Sequence, residues 1–167
     1  MLIEDVDFVG SGEQVGGGEA DVLQFTSTAH VVFNREEDNP GIAVISYTVQ
    51  EDPGMEGALV LVRSDELLAT SAALNEGGET GGGFLLCDGL RSVKFGYFDE
   101  SGEEAETWST VKDDFDSEDE RRLPVAVSCT LDFWLDREND SSISFTTSVL
   151  LPAGLINAQS LQQNANP

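Results

Sequence analysis

The sequence predicts a mainly β domain of antiparallel strands, and three observations carry that expectation. Apolar residues recur at every second position in several stretches, the pattern of a half-buried strand. Clusters rich in Gly, Pro, Asn and Asp separate those stretches at short intervals. Nine Phe, two Trp and two Tyr within a 40% hydrophobic composition are enough for a real core in 167 residues. A sandwich and an open curved sheet both satisfy this pattern.

The elements follow in order. Residues 1–21 mix acidic residues with glycine (GSGEQVGGGEAD) and show no sustained period, so they are read as a linker, with Leu2–Phe8 as the frayed end of a helix. VLQFTSTAHVVF (22–33) is rich in β-formers and stops at the charged turn NREEDNPG. In IAVISYTV (42–49), Ile42 and Val44 take one face and Ala43, Ile45, Tyr47 and Val49 the other. ALVLVR (58–63) is apolar on both faces, as a buried strand is. LLATSAAL (67–74) fits strand or helix and is assigned as strand from its neighbours. NEGGETGGG (75–83) is a flexible connection. FLLCDGLRSVKFGYF then brings Val93, Phe95 and Tyr97 to one face.

The segment 99–120 holds 11 acidic residues against Lys112, with Trp108 in an apolar island. From Pro124 a strand is predicted with Val125, Val127, Cys129, Leu131, Phe133 and Leu135 on one side. A polar turn leads to ISFTTSVLL, where Ile143, Phe145, Thr147, Val149 and Leu151 align, and the two segments read as a hairpin. Residues 22–152 are thus the predicted β domain, and 153–167 an amide-rich flexible tail.

Charge narrows function further. With 32 acidic against eight basic side chains, the net charge is −24, which repels nucleic-acid phosphates and anionic bilayers alike. No stretch reaches the length of apolar residues needed for a membrane helix, and the opening residues have no signal-peptide pattern. A protein that works by binding, rather than an enzyme, is expected.

Individual motifs are weak. Asp114, Asp116 and Glu118 alternate like calcium ligands, but DDFDSEDE has no central glycine for the tight turn such a loop needs, so a solvated loop is expected. The glycine runs lack the lysine of a phosphate-binding loop. His30 is the only histidine and no nucleophile elbow accompanies it, which disfavours acid–base or serine chemistry. Pairing 89–98 with 124–136 puts Val93 opposite Cys129 and Cys87 near Leu135, too far for a disulfide, so Cys87 and Cys129 are expected to be free, buried thiols. Asn139–Asp140–Ser141 is a formal glycosylation triplet of little weight. No catalytic, cofactor-binding or metal-binding residue is assigned, and no cofactor is expected.

One stretch is more specific. Gly89, Leu90, Val93, Phe95, Tyr97, Asp99 and Gly102 make a strand and turn; Trp108 follows, and then Leu123, Pro124, Val125 and Val127. This order resembles the C-terminal half of the minor pseudopilin J family of type II secretion systems, which is related to type IV minor pilins. FTST (25–28), VISYTV (44–49) and LVLVR (59–63) are similar to that family's preceding strands in order and spacing. The resemblance implies a pseudopilin globular domain whose N-terminal hydrophobic helix is truncated here, α+β when whole. It implies a methylated prepilin-like structural protein of the pseudopilus tip that primes assembly and supports protein secretion. It further implies partners among the I and K components, with H as a further candidate, and a periplasmic, soluble domain anchored in a bacterial inner membrane only through the absent helix. The acidic segment 99–120 is longer than the family pattern. The alternative is an acidic β-sandwich module of an extracellular protein, binding carbohydrate or calcium.

Overall fold

Strands dominate the computed structural model, which describes residues 8–29, 41–67, 83–111 and 122–155. These hold β1 (Phe8–Ser11), β2 (Gln14–Val15), β3 (Gly18–Glu19), β4 (Val22–Ser27), β5 (Ala43–Glu51) and β6 (Leu59–Leu67). After them come β7 (Phe84–Phe98), β8 (Glu104–Ala105), β9 (Trp108–Ser109), β10 (Ala126–Asp136) and β11 (Ser141–Leu150). One antiparallel sheet runs in the order β11-β10-β7-β6-β5-β4-β1-β9, with β8 on β7, while β2 and β3 form a separate hairpin. Residues 152–155 add a single helical turn. No helix among the described residues is long and apolar enough to cross a membrane.

The sheet curls because β7 serves several neighbours. Its first half pairs with β6, from Phe84 opposite Arg63 to Leu90 opposite Leu59. Its second half pairs with β10, and its last residues also take β8, with Tyr97 opposite Ala105. A few residues later β9 pairs with β1, setting Trp108 opposite Gly10, so the β1 edge is drawn back toward β7. Between β6 and β8 the edge of β7 would be left unpaired. Asp21 fills that gap: its N–H donates to Val93 O at 3.1 Å, and its carboxylate accepts the Phe95 N–H at 2.8 Å. Backbone polar groups are thereby satisfied where the ladder lapses.

The concave side of the curl is the core. Phe8, Leu23, Leu59, Leu90, Val93 and Tyr97 are buried there, and Leu90, Val93 and Tyr97 are wholly inaccessible. Edge-to-face and stacked rings link its centre: Phe8 to Tyr97 at 5.8 Å, Phe8 to Phe25 at 6.1 Å, and Tyr97 to Trp108 at 6.5 Å between centroids. The Tyr97 hydroxyl is buried with no hydrogen-bond partner among the described residues. A buried, unsatisfied hydroxyl costs about 1–3 kcal/mol. Tyr97→Phe is therefore expected to stabilise the fold by about 1 kcal/mol or more, read as a higher urea midpoint; a loss of stability would show that the hydroxyl has a partner.

The two-residue periods of β5 and β7 stand as read, and the β10–β11 hairpin forms with Val127 opposite Val149 and Phe133 opposite Ile143, but β10 buries Ser128 on its polar face and β11 is exposed on both faces from Ile143 to Leu150. Four further readings are revised. First, residues 8–21 were expected to be a linker, yet they supply β1, β2 and β3, and Phe8 lies in the core. Gly16 and Gly17, at φ of 57° and 86°, make the tight turn of the β2–β3 hairpin, where left-handed backbone is needed. Second, β7 and β10 do neighbour one another, but Val93 sits opposite Leu131 and Phe95 opposite Cys129, two residues from the expected register. Pro124 has no N–H to give a ladder, so pairing begins only after Val125, whose N–H donates to Phe98 O at 2.8 Å.

Third, β6 continues to Leu67 rather than ending at Arg63; the rest of the strand expected over 67–74 lies outside the described residues. Fourth, Cys87 and Cys129 are free but only half-buried.

Candidate functional site

The concave face is filled at its β1 end and open at the other. There it forms an apolar groove of about 580 Å³. Phe25 of β4 and Tyr47 of β5 build one wall, stacked at 6.4 Å, and Phe95 of β7 lies edge-on to Tyr47 at 6.4 Å. Val127 and Cys129 of β10 with Thr147 and Val149 of β11 build the other wall, and Leu151–Ala153 close one end. The strand period explains why these side chains meet. Phe25 pairs with Ile45, Leu23 with Tyr47, Phe95 with Cys129 and Cys129 with Thr147, each pair sharing a face. Val149 remains largely exposed on this wall, which fits a surface for contact better than a finished core.

A charged pair sits beside Tyr47. Arg63 lies opposite it in the register, with its guanidinium 5.6 Å from the ring centroid and Nη1 donating to the Tyr47 hydroxyl at 3.3 Å. Arg63 also binds Asp65 through two N–H donors, at 2.6 and 2.8 Å. The Asp65 hydrogen bond holds the Arg63 pKa above its ordinary value. Planar, two-point pairing of this kind fixes both side chains, so Tyr47 presents a pre-set ring to whatever enters.

Burial also perturbs the two thiols, of which Cys129 lines the groove. Burial pushes the Cys129 thiol up to about 11, with smaller contributions from Cys87 and Asp21, and burial likewise raises Cys87. The unfolded chain ionises its thiols at about 8.5–9, so between there and about 11 it loses protons that the native state keeps, and stability falls as pH rises through that window. The Tyr97 phenol, raised by burial, adds to the same trend higher up. Because Cys129 is half-exposed, its share is discounted to about 1 kcal/mol. Thermal melts at pH 8 and 10.5 are expected to show this loss, and Cys129→Ala to reduce it. An unchanged pH slope in the variant would assign the loss elsewhere.

A second, polar groove of about 640 Å³ gathers Glu13, Glu19, Asp21, Glu104 and Glu106 around Lys94. Lys94 pairs with Glu19 at 2.6 Å. Burial raises the Asp21 pKa, partly countered by the Phe95 N–H. Among the described residues no three His, Cys, Asp or Glu side chains form a metal-holding group.

Other sequence candidates fall as follows. His30, Asp114, Asp116, Glu118 and Lys112 lie outside the described residues. Asn139 and Asp140 lie in the β10–β11 turn, where Asp140 has φ 51°, and Ser141 begins β11. The strand, turn and tryptophan elements do come together: Asp99 Oδ1 accepts the N–H groups of Ser101 and Glu103, and Gly102 takes φ 83°. Trp108 Nε1 donates to Arg122 O at 2.7 Å and so ties the loop to the entry of β10. Phe25, Tyr47 and the Arg63–Asp65 pair were not singled out as a site by the sequence; an aromatic at alternate positions in two consecutive strands was the available signal. No protein-family model matches the chain, and no curated protein matches it.

Proposed function

We propose that this chain is the globular domain of a J-type minor pseudopilin, a non-enzymatic structural part of a secretion pseudopilus tip. One observation carries the reading: the inner face of the curled sheet ends in an open apolar groove walled by Phe25, Tyr47, Val127, Cys129 and Val149. A helix with one apolar side satisfies such a surface without needing hydrogen bonds from it. The resemblance supplies such a helix, at the N-terminus of the whole protein. The order of strand, Asp99–Gly102 turn, Trp108 loop and Leu123–Pro124 leading into β10, on which the resemblance rests, supports the reading. In this reading the domain lies on the periplasmic side of the inner membrane and meets the I and K components, with H as a further candidate.

Calorimetric titration of the domain with the periplasmic domains of I and K tests it, alongside the coding sequence upstream of Leu2. Binding to at least one partner is expected, as is an upstream glycine or alanine followed by Phe and about twenty apolar residues with an early glutamate. No binding to either partner, with a conventional signal peptide or another globular domain upstream, overturns it.

A further inference from the structure

From Ser141 to Pro167 the sequence contains no Asp, Glu, Lys or Arg, while the residues before it hold all 32 acidic and eight basic side chains. β11 occupies the start of that uncharged stretch and ends the sheet, so no strand among the described residues pairs with its outer edge. It is ten residues long and has no proline. Its ladder with β10 runs without a bulge from Leu150 opposite Ala126 to Ser142 opposite Trp134. Phe145, Val149 and Leu150 on it are more than half exposed. Edge strands of soluble domains are ordinarily blunted by lysine, proline or bulges, because an open row of N–H and C=O groups recruits other strands. In a chain this charged, an edge without lysine or proline, whose one bulge in the ladder falls at its first residue, is a template for strand addition.

The charge distribution selects the occupant. A second copy would bring another net charge of −24 against this one, and the turn leading into β11 is itself net acidic, with Asp136, Glu138 and Asp140 against Arg137, even with Asp140 paired to Arg91 at 3.3 Å. A cationic strand meets the opposite field: its middle sees an uncharged edge and its end sees carboxylates. We propose that the outer edge of β11 accepts a β-strand from a different protein, alternately apolar and with lysine or arginine at the end lying against the 136–140 turn. The proposal stands on this edge alone and does not depend on the pseudopilin reading.

The probe is a fluorescent peptide of alternating threonine and valine, as long as β11, with two lysines at one end. Fluorescence anisotropy is expected to show it binding at least about tenfold tighter than the same peptide ending in two glutamates, with the gap narrowing as salt screens the attraction. N-methylation of alternate residues along one edge of the peptide should abolish binding, and along the other edge should spare it. Hydrogen exchange should show alternate amides of β11 open in the dilute protein and protected by the peptide. Equal binding of both peptides, no binding of either, or no difference between the two methylated edges overturns the proposal. So does full protection of β11 in the dilute protein, which would mean the chain covers its own edge. A dimer in sedimentation that Thr146→Lys dissociates would also overturn it, by making a second copy the occupant.

Discussion

Replacing Gly10 by alanine is expected to cost about 3 kcal/mol or more, a large share of the stability of a domain this size. A Cβ built on Gly10 falls 1.9 Å from the Tyr97 hydroxyl oxygen and 2.1 Å from the ring carbon that bears it. The clash is with an aromatic ring rather than with the tip of a flexible chain, so relief requires the ring or the backbone to move. The ring has nowhere to go: Tyr97 is wholly buried, with Phe8 against its edge and Trp108 beyond. Backbone movement at Gly10 would break the pairing of β1 with both β4 and β9. Tyr97→Phe does not rescue, because the ring carbon remains. Tyr97→Leu should, at the separate cost of a smaller core side chain. A double-mutant cycle on Gly10→Ala and Tyr97→Leu, read by urea denaturation, is expected to show strong coupling, with the pair losing less than the sum of the two single changes. Additive effects, or a Gly10→Ala protein as stable as the parent, would place the ring elsewhere.

That contact also marks where the fold was hidden from the sequence. Strands β5, β7, β10 and β11 are long enough for a two-residue period to emerge in the sequence, and β6 is legible as a run apolar on both faces. β1 is only four residues, and one of them is the glycine that makes room for Tyr97. The space that lets the core close also removes an apolar side chain from the pattern, so β1 read as part of a glycine-rich linker. The roll of the sheet was invisible for a related reason: it depends on β8 and β9, two residues each. Register was off by two because the alternating valines extend back to Val125, whereas pairing is set by the missing N–H of Pro124 and begins at Ala126.

The groove was the least legible feature. Its walls come from strands far apart in sequence, and each contributes one or two side chains that look like ordinary core residues. Phe25 and Tyr47 are apolar-face positions in any reading; only the order of strands in the sheet reveals that they face β10 and β11 across an open groove. The acidic segment, by contrast, stands out in the sequence through charge alone; its first part, to Val111, carries β8 and β9, and residues 112–120 lie outside the described residues.

The second large effect is expected at Phe8. Phe8→Ala should lower stability by about 3–5 kcal/mol, the range for truncating a buried aromatic side chain. Phe8 is 4% exposed, lies edge-on to Tyr97 and stacks on Phe25. It therefore joins the closed end of the core to the wall of the groove. Its backbone is held independently: Phe8 N–H donates to Thr110 Oγ1 at 2.7 Å, and Phe8 O accepts the Thr110 N–H at 2.9 Å. The two links separate experimentally through the dependence of unfolding on urea. Loss of the ring alone should lower the midpoint and leave the slope unchanged, because β1 stays in the sheet. If Phe8→Ala frees β1 and β9 together, less surface is exposed on global unfolding and the slope falls as well. Thr110→Val removes the side-chain acceptor but not the ring, and is expected to cost about 1–2 kcal/mol. A Phe8→Ala protein within about 0.5 kcal/mol of the parent, the range of ordinary surface changes, would return residues 8–21 to the linker that their composition first indicated.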